Sequence, residues 1–325
     1  MITRTPLRVS FVGGGTDLPD FAGEHGGATV SIGLASYIHV IVSLRFEDSL
    51  RVSYSQTEIV DARDELRHEL VREALKLAGI RRRLEIVTIA DVPSRGTGLG
   101  SSSAVTVGVL NALFAYQGIL KPQRELAEMA CQIEIEILGK PIGRQDQFAC
   151  AFGGLQLLEF GAAGAVKRTP LPITEDSRRR LQDRLLMFYT GRQRSADTIL
   201  DAMSASAASV ETTDRLIAMR DQAVRFAHEL GSGTQEIPVG QYLARNWEMK
   251  RRLHGSITDG EIDGTYEAAI GAGATGGKLL GAGGGGFLLF HVEPERQQAV
   301  RRRLAHLREL PVRFDTSGSV VIHVS

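Results

Sequence analysis

Cysteine is nearly absent from this 325-residue sequence, which holds only Cys131 and Cys150. Both sit in apolar stretches without metal-ligand spacing. That argues against a disulfide scaffold, fits a reducing compartment and reads as two core residues. An excess of one charge is also missing. Lys plus Arg and Asp plus Glu number 38 each, so nothing points to nucleic acid or an anionic membrane as a partner, and any handling of anions must be local. No apolar run is long enough for a bilayer. The longest, Ala104 to Leu120, is interrupted by Thr106, Asn111 and Gln117 and reads as a buried soluble helix. The N-terminus "MITRTPLRVSFVGGG" has no extended apolar h-region and no small-residue cleavage site, so the expected location is cytoplasmic. The one Trp, Trp247 in "RNWEMKRRL", is expected to pack between helices. No repeat of fixed period and no low-complexity tract occurs beyond the glycine clusters.

What is present suggests two domains of ordinary size or one large one. Up to about residue 100, the runs "LRVSFVG", "ATVSIGL", "YIHVIVSL", "LRVSYS" and "LEIVTIA" predict strands. Between them, Leu66, Leu70, Val71, Ala74, Leu75 and Ala78 have the spacing of an amphipathic helix that ends at Gly79. A Gly/Ala/Pro-rich patch from Gly161 to Pro172 marks the expected boundary between residues 1–170 and residues 171–325. The second half reads as helical from Ile199 to Leu230 and from Gln241 to Leu253. Its end reads strand, helix and closing strands, a β-α-β order that suits a small α+β domain.

Glycine is abundant and clustered. "PSRGTGLGSSSAV" opens a helix, where unpaired backbone N–H groups and the positive end of the helix dipole can receive phosphate. The plain alternative is a flexible turn ahead of a capped helix. The Walker A pattern fails because Ser101 follows Gly100, and the dinucleotide pattern fails because Ser103 stands at its third glycine. That second pattern does occur as "GAGATG" (Gly271 to Gly276) and "GAGGGG" (Gly281 to Gly286), but neither follows a clear strand and opens a helix. In "FVGGGTD", Leu18 takes the third glycine's place.

Three glycine-rich segments in this order and at this separation resemble the GHMP kinase superfamily. They are "TPLRVSFVGGGTDLPDF", "PSRGTGLGSSSA" and "KLLGAGGGGF", and the resemblance covers essentially the whole chain. Within the superfamily, "GGGTDLP", "LGKPIGRQDQFACAFGGLQLLEF", "YTGRQRSADTIL" and "GGKLLGAGGGGFLLF" look most like the D-glycero-D-manno-heptose 7-phosphate kinases. Related fucokinase domains share parts of these motifs.

The resemblance implies an α+β fold of two domains, the first like ribosomal protein S5 domain 2 and the second ferredoxin-like, with the active site between them. It implies ATP and Mg²⁺, a sugar phosphate as the small-molecule partner, and a monomer or homodimer. The implied reaction is phosphorylation of the anomeric C1 hydroxyl of D-glycero-D-manno-heptose 7-phosphate to the 1,7-bisphosphate, for nucleotide-activated heptose synthesis. The alternatives are a kinase of an unphosphorylated sugar such as L-fucose, or a sugar- and ATP-binding regulator without catalysis.

Phosphoryl transfer needs positioning, charge neutralisation and an acceptor that loses its proton. By resemblance, Asp146 is the base and Arg8 the cation beside it; read alone, Asp146 would cap a helix and Arg8 would lie on a strand surface. Pro93, Gly96, Gly98, Gly100, Ser101, Ser102 and Ser103 form the implied ATP loop. Gly14, Thr16, Asp17, Gly283 and Gly284 fall at implied substrate positions; read alone, Asp17 belongs to a tight turn that bonds its own backbone. Mg²⁺ would be held by Ser102 and Glu134. Helical spacing leaves Glu134 and Glu136 on opposite sides of one apolar stripe, and only the motif register selects Glu134. A phosphate on the acceptor calls for basic side chains, and Arg144, Arg192, Arg194 and Lys140 are the candidates. "SRRRLQDR" reads as a solvated helix face.

Overall fold

The computed structural model describes residues 1–93, 96–192, 210–232 and 237–324. Arg194 and the start of the helix expected from Ile199 lie outside them. The chain opens with β1 (Ile2–Val12), α1 (Pro19–His25) and β2 (Gly27–Leu44), then runs through β3 (Leu50–Ser53), β4 (Thr57–Val60), α2 (Glu69–Leu77) and β5 (Leu84–Ala90). A helical stretch follows: α3 (Ser101–Tyr116), α4 (Gln123–Cys131), a π-helical turn (Gln132–Ile137) and α5 (Gln145–Phe152). Next come β6 (Leu155–Phe160), β7 (Val166–Pro170), α6 (Glu175–Asp183) and β8 (Leu185–Tyr189). The rest contains α7 (Val210–Gly231), α8 (Val239–Lys250), α9 (Gly260–Gly271), β9 (Ala274–Leu279), β10 (Phe287–Val292), α10 (Pro294–Arg303), β11 (Arg308–Leu310), β12 (Phe314–Asp315) and β13 (Val320–His323).

The runs "ATVSIGL" and "YIHVIVSL" are one strand. Pro6 of β1 faces Tyr37 and Leu7 faces Leu34, so Ala35 and Ser36 bulge out of the pairing without ending it. The bulge lets β2 change partners on its other edge, with β6 on residues 27–32 and β5 on residues 38–44. The large sheet has the order β13-β1-β2-β5-β3-β4, with β12 and β6 on β2 and β7 beyond β6. A smaller sheet runs β11-β8-β10-β9.

Helix α3 is apolar on every side because it is covered on every side. Ala104, Val107, Val109, Leu110, Ala112 and Leu113 are all fully buried, and the helix packs on β1 and β2 and against α2, α4 and α5. Cys131 and Cys150 are buried free thiols. Trp247 is fully buried in α8, its ring 6.3 Å from that of Tyr266, and "SRRRLQDR" lies in the largely exposed α6. No described helix is long and apolar enough to cross a membrane.

One expectation fails in an informative way. The closing strands do not join the small sheet: β12 pairs with β2 and β13 with β1. Buried polar bonds hold them there. Ser319 Oγ lies 2.8 Å from Thr5 Oγ1 and accepts from Asn111 Nδ2 at 3.0 Å, while the Asp315 carboxylate accepts from the amides of Ser317 and Gly318.

Candidate active site

A cleft of about 850 Å³ lies between the two sheets. Strand β1 brings Arg8 to its wall. Both neighbours of Arg8, Leu7 and Val9, are core residues, and Arg8 itself is 3 % exposed. Each guanidinium nitrogen donates one bond: Nε to Asp146 Oδ1 at 2.7 Å, Nη2 to Oδ2 at 2.6 Å, and Nη1 to the Gly98 carbonyl at 2.6 Å. Burial opposes the charged guanidinium, but the Asp146 carboxylate outweighs it and raises the Arg8 pKa further. Asp146 is the second residue of α5 and makes no capping bond; the helix has no side-chain cap. The two residues form a bidentate ion pair on the cleft wall, with Arg8 buried and Asp146 partly open to the cleft.

Asp17 enters from the turn after β1. Its carboxylate accepts from the Gly15 amide at 3.2 Å, the Gln145 amide at 3.2 Å and Gln145 Nε2 at 3.1 Å. The self-bonded turn and the position beside Asp146 are therefore both realised. Burial first, and the Asp146 charge second, push Asp17 up to about 6. Thr16 is turned away from the cleft. Its hydroxyl donates to the Gly13 and Ala28 carbonyls and accepts from the Ala28 amide, pinning the turn to β2.

The serine loop opens α3. The first helical bond runs from the Ala104 amide to the Gly100 carbonyl at 2.9 Å, so the amides of Ser101, Ser102 and Ser103 precede any helical partner and form an anion-binding end. Ser101 and Ser103 are buried and Ser102 is exposed. Behind them Glu134 is fully buried. It accepts from Ser102 Oγ at 2.9 Å, Ser103 Oγ at 2.8 Å, Thr106 Oγ1 at 3.0 Å and Gln147 Nε2. Burial raises its pKa, and the bonds from Ser103, Gln147 and Ser102 oppose the rise. Glu134 follows the fully buried Ala127, Ala130 and Cys131 by seven, four and three residues and shares their inward face, whereas Ile137 at the end of the expected stripe is exposed and Glu136 pairs with Arg144 outside.

Ser102 Oγ and Glu134 Oε1, 2.9 Å apart, are hard oxygen donors of the kind Mg²⁺ takes, with Ser102 on the cleft wall and Glu134 fully buried behind it. Among the described residues no group of three His, Cys, Asp or Glu could hold a metal alone. Phosphate oxygens and water would have to complete the shell.

The glycines of the two loops serve each other. Gly98 and Gly281 both have left-handed backbones, with φ +75° and +71°. A Cβ on Gly281 would stand 2.3 Å from the Gly98 Cα, and one on Gly98 would stand 2.4 Å from the Leu280 carbonyl oxygen. The loops therefore lock backbone to backbone, a contact only glycine permits. Gly283 and Gly284, expected at the substrate, lie behind this contact. Gly284 donates its amide to Ile257 O at 2.8 Å, and the cleft is lined by Gly281 and Ala282 instead.

Among the described basic candidates only Lys140 lines the cleft, paired with Glu69 at 3.0 Å. Arg144 is off the wall on Glu136, and Arg192 is held by Asp259 at 2.6 Å and Glu261 at 3.2 Å. Pro93 is not on the wall either, whereas Gly14, Gly96 and Gly100 are. Lys250 and Lys278, which sequence reading missed, are on it. Neither was singled out in the sequence, where Lys250 lies in "RNWEMKRRL" and Lys278 opens "KLLGAGGGGF".

The family signatures "GHMP kinases N terminal domain" and "GHMP kinases C terminal" match residues 66–154 and 235–308. The chain is 28 % identical to D-glycero-alpha-D-manno-heptose 7-phosphate kinase of Campylobacter jejuni, over 94 % of this chain and 95 % of that one. It is 26 % identical to the bifunctional fucokinase/GDP-fucose pyrophosphorylase of Arabidopsis thaliana, over 95 % of this chain but only 31 % of the larger protein. Its fold matches a D-glycero-D-manno-heptose 1-phosphate kinase from Bacteroides thetaiotaomicron with a TM-score of 0.80 at 22 % identity, over 99 % of both chains. It also matches a putative sugar kinase from C. jejuni with a TM-score of 0.78 at 26 % identity, over 98 % and 97 %. With an α+β fold, a serine-opened helix and a bidentate Arg–Asp pair on one cleft, this chain belongs to the GHMP kinases.

Proposed function

We propose that this kinase transfers the γ-phosphoryl group of ATP to the anomeric C1 hydroxyl of D-glycero-D-manno-heptose 7-phosphate. The observation that carries the reaction type is the bidentate Arg8–Asp146 pair, joined through Arg8 to the loop that opens α3: its Nη1 donates to the Gly98 carbonyl at 2.6 Å and its amide to the Leu99 carbonyl at 3.0 Å. The acceptor rests on full-length similarity to the C. jejuni heptose 7-phosphate kinase.

Asp146 takes the proton of the C1 hydroxyl as that oxygen attacks the γ-phosphorus; the bond from the γ-phosphorus to the bridging oxygen breaks and ADP leaves. Arg8 holds the carboxylate in one orientation and stabilises the negative charge that develops in transfer. Asp17 accepts hydrogen bonds from sugar hydroxyls and fixes the ring. The amides of Ser101 to Ser103 and the α3 dipole receive the phosphates. Ser102 Oγ and Glu134 would hold Mg²⁺, which when bound supplies charge neutralisation on the phosphate oxygens.

The test is ³¹P NMR of the protein with MgATP and heptose 7-phosphate, with L-fucose, galactose and mannose run separately. A new anomeric phosphate signal with the heptose phosphate alone, lost in Asp146→Asn, is expected. Turnover of a free sugar instead would favour the reading that the fucokinase similarity supports, and no turnover would leave a binding protein.

A further inference from the structure

Most of the positive charge on the cleft wall is already spent. Arg8 is clamped on Asp146, Lys140 pairs with Glu69 at 3.0 Å, and Arg67 with Glu58 at 3.6 Å. Lys278 has no carboxylate but is 1 % exposed and well bonded, donating to the Phe11 carbonyl at 3.0 Å and to Asn246 Oδ1 at 2.9 Å. It ties β9 of the small sheet to β1 of the large one.

Lys250, the last residue of α8, is different. It is 4 % exposed, yet its Nζ donates only to the Gly281 carbonyl, and no carboxylate lies within ion-pair distance of it among the described residues. An ammonium has three donors, so two have no protein acceptor. A buried cation without a counter-charge is unfavourable. Burial, and then repulsion from Arg8, bring Lys250 down to about 8 against the pull of Asp17 and Asp146. Those neighbours place it at the end of the cleft where transfer would occur. The arginines whose residue type fits phosphate, Arg144 and Arg192, sit off the wall on carboxylates of their own.

We infer that Lys250 is a phosphate-binding residue, its two open donors kept for a phosphoryl group that arrives with a substrate: the phosphate on the acceptor sugar, or the γ-phosphoryl group in transit. The inference rests on reading the cleft as a sugar-phosphate kinase site.

The test is calorimetric binding of heptose 7-phosphate, dephosphorylated heptose and the β,γ-imido analogue of ATP to wild type, Lys250→Met and Lys250→Arg, with melting curves of each free protein. Methionine should weaken one phosphate ligand by about 10- to 100-fold, the usual worth of a charged hydrogen bond. It should leave the ligand-free melting temperature unchanged or higher, because an unpaired buried charge is gone. Arginine should restore part of the affinity. Loss confined to heptose 7-phosphate assigns the acceptor's phosphate; loss confined to the ATP analogue assigns the γ-phosphoryl group. Unchanged affinity for both would overturn the inference. So would a lower melting temperature with affinity that arginine does not restore, which would make Lys250 a structural pin on Gly281. If wild type binds no heptose 7-phosphate, the proposed acceptor fails by itself, and the ATP-analogue arm still decides Lys250.

Discussion

Replacing Asp17 by asparagine separates what the site needs from what the fold prefers. On folding, the Asp17 carboxyl moves from 3.8 to about 6, because burial and then the Asp146 charge disfavour its ionised form. A group whose pKa rises on folding stabilises the native state while protonated; that contribution is complete below the unfolded value of 3.8 and is lost as pH climbs through about 6. At about 1.4 kcal/mol per pH unit, the ionised carboxylate destabilises the neutral-pH protein by about 3 kcal/mol. Asparagine carries no charge at any pH. It keeps an oxygen for the Gly15 amide and Gln145 Nε2, and loses the bond from the Gln145 amide, which costs about 1–2 kcal/mol. Asp17→Asn should therefore be less stable than wild type at about pH 4 and more stable at about pH 8, a swing of about 3 kcal/mol. Urea denaturation of the ligand-free proteins, followed by circular dichroism across that range, measures it. A difference that stays constant with pH, or swings the other way, would refute the reasoning.

Other perturbations follow from the same geometry. Arg8→Lys keeps the charge but not the fork, so kcat should fall about 100-fold with little change in KM, as expected for a loss felt in the transition state; steady-state kinetics reads this split. Glu134→Gln should raise the Mg²⁺ concentration for half-maximal rate by at least about tenfold, seen in a metal titration, while the melting temperature holds because a buried charge is removed. Gly98→Ala should destabilise by about 2–5 kcal/mol through left-handed strain and overlap with Leu280. Gly23→Ala, in α1 with nothing near its Cβ, should be neutral or stabilising by less than about 1 kcal/mol, and thermal melts of the two compare them directly.

The sequence was most readable where chemistry demands particular residues next to one another in the chain. The serine-opened helix, the turn with Asp17 and the buried character of α3 all follow from local pattern. What was hidden depends on contacts between distant segments. Glu134 and Glu136 were equivalent edges of a stripe that counted Ile137, which is exposed; the face that is buried runs through Ala127, Ala130 and Cys131 and takes in Glu134. Gly283 and Gly284 belonged to a loop of the right kind, but only the packing on Ile257 and Gly98 decides which of its glycines meets the cleft. Lys250 shares its run with Arg251 and Arg252, and only helical register separates it, for it stands seven and three residues after the buried Leu243 and Trp247 on one face of α8. The closing strands read as part of the nearest sheet in sequence, whereas hydrogen bonds to Thr5 and Asn111 commit them to the first.

That last arrangement reaches into how the protein is made. Ile2 pairs with His323, and Thr5 touches Ser319, so the Ile2–Arg4 edge of β1 stays open until residues about 320 positions later have been made. Contacts of such long range slow folding, and an open edge invites pairing with other chains. The first turn of β1 is therefore among the last parts of the large sheet to be paired, and a chain stalled short of β13 would carry an exposed template for aggregation at Ile2–Arg4.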